Sequence, residues 1–400
     1  MPLGLYLSVP FCRTKCTYCN FASDVFSRAV FDRYLERVCA DIHTTPETAQ
    51  TMGGVLPGEV DSVYLGGGTP TVLNSEQLER LFATVRQTFR VLPEAEITVE
   101  CAPGTLTPAV LETLLRCGVN RVSLGVQSFV DQEAAAVGRL HKRATVLEDI
   151  ERLRKAGITN INVDLIAGLP HQTAESWKES LESVIGLGVP HASVYMLEVD
   201  EDSRLGRELI AGGTKYHAHF VPNEELTADL YETACGQLNA PGVAQYEISN
   251  FARTGFESRH NLKYWTRQPY LGFGVDAHSM VPLAEEGLEA VRFSTCDTLE
   301  GFVAGPSLNH TLVSRQGALE ETLFLGLRLN VGVDLESVRS KFAASSVRGL
   351  GRLFDELAGD GLVASEGSRV RLTGRGRLMS NEVFERFLGA HEVSSGVGLS

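Results

Sequence analysis

The 400-residue chain predicts an α/β protein, a partial barrel of six strand–helix units, (β/α)6, followed by a C-terminal winged-helix-like domain. Three observations support this. Short apolar runs alternate with longer amphipathic ones six times between Leu3 and Leu197, as in a parallel sheet with helical crossovers. Polar and glycine-rich motifs fall at the carboxyl ends of the apolar runs, where such sheets gather reactive groups. From Glu320 the texture changes to three short helical patterns and a hairpin.

In chain order, strands are expected at residues 3–9, 61–65, 95–100, 121–126, 160–166 and 191–196. Helical periodicity lies between them at 29–42, 75–89, 108–116, 144–155 and 174–185. Ser75 and Thr107 stand at N-cap positions, and Pro108 suits a first helical residue. Gly118, Gly157 and Gly188 stand where helices should stop. Six units are too few to close an eight-unit barrel, so an open, curved sheet is expected. Residues 198–310 are less regular, with a helix at 224–238 and a loop-rich aromatic stretch over 245–280. Helices at 320–327, 335–342 and 350–360 then precede strands at 362–364 and 369–373. The expected divisions are a barrel over 1–200, an extension over 201–310 completing the barrel side, and a helical, winged-helix-like domain over 311–390. The last reads as a docking or packing module, because nothing basic marks a DNA reader. Residues 391–400 read as a disordered Ser/Gly-rich tail.

A formal net charge of −14 argues against a nucleic-acid partner. With no secretory signal and no apolar stretch approaching a membrane span, a reducing cytoplasm is the expected compartment. Its eight cysteines then serve as ligands or small core residues. Cys39, Cys101, Cys117, Cys235 and Cys296 lack ligand spacing and read as buried free thiols.

Cys12, Cys16 and Cys19 differ, because they are spaced C-x3-C-x2-C. Thiolates packed this closely can hold three irons of a cubane 4Fe–4S cluster and leave the fourth iron to a small chelator. A structural zinc would want a fourth Cys or His at short range, and none follows in this loop. On spacing alone, three unrelated cysteines remains the competing reading. The run Gly66-Gly67-Gly68-Thr69-Pro70 follows the second strand, where absent Cβ atoms let backbone approach a ligand. Glu100, Gln127 and Asp164 fall at or near the ends of later strands, and each could equally form an ordinary strand-end salt bridge.

Taken in order, YLSVPFCRTKCTYCNF, YLGGGTPTVL, EITVECAPGTL, RVSLGVQSF, VDLIAGLPHQT, YEISNFA and SRHNLKYW resemble the radical S-adenosylmethionine family that contains oxygen-independent coproporphyrinogen dehydrogenase. The resemblance covers about residues 3–390 and is stronger to the dehydrogenase's haem-chaperone relatives. It implies a radical-SAM barrel in which Cys12, Cys16 and Cys19 ligate a 4Fe–4S cluster completed by S-adenosyl-L-methionine. It places Tyr18 beside the adenine, and Gly66, Gly67, Gly68 and Thr69 near the methionine amino group. Tyr6, Glu100, Gln127, Arg139 and Asp164 match further contacts to S-adenosylmethionine, with the planar fork of Arg139 suited to the ligand carboxylate.

Two departures set the chain apart from the dehydrogenase. Phe21 stands where the dehydrogenase continues C-x-C, and the chain begins two residues before the first strand, without the dehydrogenase's leading segment. Both match the chaperones. His260, Asn261, Tyr264 and Trp265 form the HNxxYW pattern of those relatives, which implies haem bound through His260 with Tyr264 and Trp265 lining the site. The competing reading makes His260 and Asn261 core residues that stitch a loop to the barrel. His278 is a second ligand candidate, although Asp276 departs from the relatives' small residue. His141, His171, His217 and His219 read as solvated or structural. The resemblance thus implies a haem chaperone with no catalytic residue, served by an electron donor to its cluster. It would deliver haem to an acceptor protein such as a respiratory enzyme, which brings a peripheral membrane contact into the reading. The alternative is a radical oxidoreductase acting on a porphyrinogen or another substrate.

Overall fold

The computed structural model describes residues 1–240, 242–306 and 308–388; the expected disordered tail lies outside them. β1 (Leu3–Val9) is followed by α1 (Ala29–Thr51), β2 (Val60–Gly67), α2 (Ser75–Thr88), β3 (Val91–Cys101), α3 (Pro108–Arg116) and β4 (Arg121–Gln127). Two helices, α4 (Asp131–Ala136) and α5 (Arg143–Lys155), lead to β5 (Asn160–Ala167), and α6 (Ala174–Leu187) leads to β6 (His191–Met196). The six strands pair in sequence order, all parallel.

Local chemistry sets the helix ends. Asn74, rather than the expected Ser75, caps α2: its side chain accepts from Gln77 N–H at 2.9 Å, and Asn74 N–H donates to Gln77 Oε1 at 3.1 Å. Thr107 caps α3 as expected, with Pro108 in the first turn. Gly118, Gly157 and Gly188 follow their helices at positive φ.

Alternation along the strands divides the sheet into two chemically distinct faces. Leu3, Leu5, Leu7 and Val9 of β1 join the apolar core with Val63 and Leu65 of β2 and Val122 and Leu124 of β4. The residues between them point into the barrel and are mostly polar, including Glu96 and Glu100, Arg121 and Ser123, Asn162 and Asp164, and His191 and Ser193. Parallel strands are usually apolar on both faces. Here the concave face is polar because it lines a cavity.

After β6 come α7 (Arg204–Ala211) and α8 (Glu224–Asn239), then β7 (Ala244–Gln245) and β8 (Asn250–Ala252), which extend the sheet beyond β6 in antiparallel fashion. α9 (Arg259–Trp265) leads to β9 (Tyr270–Gly274), which runs parallel to β1 on its free side. β10 (His278–Pro282) and β11 (Leu288–Ser294) continue outward, and α10 (Leu299–Ala304) precedes the edge strand β12 (Asn309–Ser314). Among the described residues the sheet has 12 strands and stays open, because β1 pairs with β2 and β9 rather than with β6. The stretch expected to be loop-rich over 245–280 carries the end of β7, β8, α9, β9 and the start of β10, joined by turns. Two of its glycines, Gly272 and Gly274 of β9, serve close packing. Gly274 has φ 100°, and a Cβ there would lie 2.3 Å from the Ser8 carbonyl oxygen.

The C-terminal unit runs α11 (Arg315–Arg328), β13 (Val333–Asp334), α12 (Leu335–Lys341), α13 (Leu350–Gly359), β14 (Val363–Glu366) and β15 (Arg369–Leu372), then α14 (Gly374–Leu378) and α15 (Ser380–Glu385). Its three strands pair in the order β13-β15-β14, the winged-helix arrangement, around a core including Leu323, Phe354, Leu357 and Val370. It is tied to both flanks of the large sheet. Glu321 binds Arg267 at 2.7 Å and Arg292 at 3.1 Å, while Asn330 N–H donates to Tyr246 O at 2.9 Å. Among the described residues, no helix is long and apolar enough to cross a membrane.

Candidate functional site

The cysteine loop leaves β1 and is held by backbone bonds from several directions. Cys12 N–H donates to Asp24 O at 3.0 Å, Asp24 N–H to Pro10 O at 3.0 Å, and Thr17 N–H to Val137 O at 3.1 Å. Cys12, Cys16 and Cys19 are half-buried and line one cavity of about 750 Å³. Burial raises the Cys12 and Cys19 thiols above their usual range. The other five cysteines are also free thiols; Cys39, Cys101 and Cys117 are buried as expected, whereas Cys235 and Cys296 are only half-buried. Cys101 reaches the cavity wall beside Thr105, and burial pushes its thiol up to about 11, which keeps it protonated.

The glycine run brings the end of β2 against this loop. A Cβ on Gly68 would lie 2.7 Å from Phe11 O and 3.0 Å from Cys12 Sγ. Gly67 has φ 99° and faces Ser8 and Val9, whereas Gly66 abuts Tyr64 and Glu100. Two of the three glycines are thus required by contact with β1 and the cysteine loop, in addition to any approach by a ligand. Thr69 N–H donates to Phe11 O at 2.7 Å.

Across the cavity, Glu100, Gln127, Arg139 and Asp164 come together as expected, with Tyr18 beside them. Glu100 accepts from Tyr64 OH at 2.9 Å, and burial together with Asp164 raises its carboxyl to about 7. Asp164 accepts from Asn162 at 2.7 Å and Ser123 at 3.1 Å, and burial raises it too. Arg139 donates to Tyr18 OH at 3.2 Å. Buried Arg139 Nε and Gln127 Oε1 have no hydrogen-bond partner among the described residues. Gln127 also sits at φ 71°, a left-handed conformation uncommon away from glycine. Three thiols on one loop, facing two carboxyls and an arginine with unused hydrogen-bonding capacity, fit a cubane cluster with a small zwitterionic ligand.

The other expected residues lie elsewhere. Tyr6 packs against Tyr64 and His260 with centroids at 6.0 and 6.3 Å, behind the cavity lining. The HNxxYW pattern lies on α9, which plugs the lower end of the barrel. Ser258 caps the helix, and Glu96 accepts from the backbone N–H groups of Arg259 and His260, each at 3.2 Å. His260 is 1% exposed, with Nδ1 3.0 Å from Ser62 Oγ and Nε2 2.8 Å from Tyr264 OH. Burial depresses the imidazole to about 3. Trp265 lies under the Arg328 guanidinium at 4.3 Å. His260 is expected from the sequence as a haem ligand, with Tyr264 and Trp265 lining the site; in the structure both His260 ring nitrogens are engaged inside the core. From this pattern Asn261 alone reaches the cavity.

His278 is exposed on β10, 3.6 Å from Asp276 and outside the cavity lining. His141 is buried with Nε2 3.2 Å from Val126 O. His171 and His217, read from the sequence as solvated or structural, meet with Nε2 and Nδ1 3.1 Å apart. Sequence reasoning missed the lower cavity wall, formed by Arg121, Ser193, Asn250, Arg328 and Arg377. For Arg121 and Ser193 the available signal was the polar residue at every second strand position; Arg328 and Arg377 lie on helices of the C-terminal unit and gave none.

Fold and site together define a radical S-adenosylmethionine protein. The pattern of the Radical SAM superfamily matches residues 6–184, and that of the HemN C-terminal domain matches residues 313–379. Two relatives named "Heme chaperone HemW" align nearly end to end. The Lactococcus lactis protein is 33% identical over 97% of each chain, and the Bacillus subtilis protein is 35% identical over 96% of this chain and 98% of its own. Escherichia coli coproporphyrinogen III oxidase (HemN), described as a radical SAM enzyme, superposes with a TM-score of 0.81 at 25% identity over 96% of this chain and 90% of its own. The chain belongs to the HemW family.

Proposed function

We propose that this protein is a haem chaperone that binds haem, a 4Fe–4S cluster and S-adenosylmethionine and passes haem to an acceptor protein. The reading rests on the convergence of Cys12, Cys16 and Cys19 with Glu100, Gln127, Arg139 and Asp164 on one cavity, in a chain aligned nearly end to end with relatives named as haem chaperones. When bound, the cluster and S-adenosylmethionine supply one-electron chemistry at a carbon–sulfur bond.

The chain's own residues bind and orient. Arg139, braced by Tyr18, offers a fork for the ligand carboxylate. Glu100 and Asp164 present carboxyls to its cationic and hydroxyl groups, and an approaching cation would favour the ionised form of Glu100, which sits at about 7. Val137, Ile166 and Leu169 pack with Tyr18 and Leu197 and hold Tyr18 of the cysteine loop in place. Phe21, 65% exposed, lines the same cavity at the position where the dehydrogenase continues its cysteine motif. An acceptor such as a respiratory enzyme, an electron donor and a reducing cytoplasm complete the reading.

The test is anaerobic reconstitution followed by haem titration and product analysis on one sample. The expected result is a reducible cluster, saturable haem binding and no conversion of coproporphyrinogen III to protoporphyrinogen IX. Sustained conversion would replace the chaperone with an oxidoreductase.

A further inference from the structure

Two turns meet beside the upper end of the barrel, one following β5 and one between α7 and α8. Backbone bonds tie them: His171 N–H donates to Phe220 O at 3.0 Å, and Phe220 N–H to His217 O at 2.9 Å. Three imidazoles thereby surround one aromatic ring. The His171 and His219 rings each lie 4.0 Å from the Phe220 ring, and His171 Nε2 is 3.1 Å from His217 Nδ1. Phe220 is nevertheless 46% exposed, and Leu209 and Ile210 are 54% and 67% exposed on α7, which packs against this turn.

The backbone here is unusual as well. His171 has φ 69° and His217 φ 62°. A left-handed conformation is unfavourable for a non-glycine residue, and such strain clusters at functional sites. Nothing in the cluster and S-adenosylmethionine site uses these residues.

We propose that this group is the haem-binding site, with His217 Nε2 as the axial ligand to iron. A ligating histidine characteristically donates its other ring N–H to an acceptor, which fixes the tautomer and raises the basicity of the ligating nitrogen. His171 Nε2 is placed to be that acceptor, leaving a lone pair on His217 Nε2. The exposed part of Phe220, with exposed His219, Leu209 and Ile210, supplies aromatic and apolar surface for a macrocycle. Coordination requires no electron transfer. Leu169, two residues before His171, packs with Tyr18 of the cysteine loop, so the haem would sit close to the cluster side of the barrel. This assignment rests on the chaperone reading in taking haem as the ligand, and it supplies an accessible imidazole where His260 is enclosed.

The test is titration of ferric haem into the full chain, followed by the Soret band, for wild type, His217→Asn, His171→Asn and the exposed control His278→Ala. Asparagine tolerates left-handed backbone, so these changes remove the imidazole with little strain; unchanged circular dichroism and cluster reconstitution check the fold. His217→Asn should lose the axial-ligand signature, and His171→Asn should weaken binding about 10–100-fold, as loss of a partner to a ligating histidine does. His278→Ala should match wild type. If wild type binds haem and both asparagine variants bind it identically, this site is wrong while the chaperone reading stands. If wild type shows no saturable haem binding, both fall. Capture of Zn²⁺ by the His171–His217 pair with haem binding unaffected by either variant would make it an ordinary divalent-metal pair and overturn the assignment.

Discussion

Gly68→Ala tests whether the glycine run is a spacer between β2 and the cysteine loop. The added Cβ would meet Phe11 O at 2.7 Å, Val9 O at 3.0 Å and Cys12 Sγ at 3.0 Å. Two of these atoms are backbone and cannot rotate aside, so β1 and the loop must retreat by several tenths of an ångström. That movement strains the bonds from Gly68 N–H to Val9 O at 2.8 Å and from Thr69 N–H to Phe11 O at 2.7 Å. Overpacking of this kind costs about 1–3 kcal/mol. At roughly 2–4 °C per kcal/mol, the cluster-free protein should melt about 2–12 °C lower. The displaced Cys12 sulfur should also lower iron incorporation. Gly58→Ala is the control, with nothing within 4 Å of its Cβ, and should change stability by no more than about 0.5 kcal/mol. Thermal melts and iron-to-protein ratios measure both effects. A Gly68→Ala protein that melts with wild type and fills with iron would refute the spacer role.

Alanine at Cys12, Cys16 and Cys19 together should abolish the paramagnetic signal of the reduced cluster, whereas alanine at Cys39 or Cys117 should leave it, as read by electron paramagnetic resonance. Arg139→Gln should weaken S-adenosylmethionine binding to the reconstituted protein by about 1.5–3 kcal/mol, the range for a hydrogen bond to a charged group, and calorimetry showing unchanged affinity would move the carboxylate contact elsewhere. His260 should make the fold acid-sensitive. The unfolded chain takes up a proton near pH 6.5 that the folded His260 resists down to about 3, so stability is retained above 6.5 and lost as pH falls through that interval. Urea melts should show a loss of about 2 kcal/mol between pH 7 and pH 5 from this group, and a His260→Gln protein with the same pH slope would contradict it.

Much of the barrel was legible because its strands alternate strictly and its helices carry local punctuation. The cysteine spacing and the strand-end polar residues were legible for the same reason, since each motif is short and its position follows from the alternation. What could not be read depends on distant partners. β9 is only five residues with two glycines, and its pairing with β1 spans most of the chain. His260 has the residue type of both a ligand and a core hydrogen-bonding group, and Ser62, 198 positions away, decides between them. His171 and His217 are 46 positions apart, and only the meeting of two irregular turns pairs them. Asn74 and Ser75 are both good caps, so their order was settled by the reach of Gln77.

The placement of β9 beside β1 has a consequence for the order of events during synthesis. Gly4 pairs with Tyr270 and Ser8 with Gly274, so the strand that launches the cysteine loop keeps one edge bare until the ribosome has made more than two-thirds of the chain. At roughly 5–20 residues per second, that wait lasts on the order of tens of seconds. A contact so distant in sequence is also slow to form, because loop closure must precede its reward. The open edge of β1 is therefore a site for mispairing in the nascent chain, and the three thiols next to it stay on an unfinished scaffold meanwhile. Iron and sulfide delivered after release would meet a completed sheet; delivered earlier, they would meet a strand still waiting for its second neighbour.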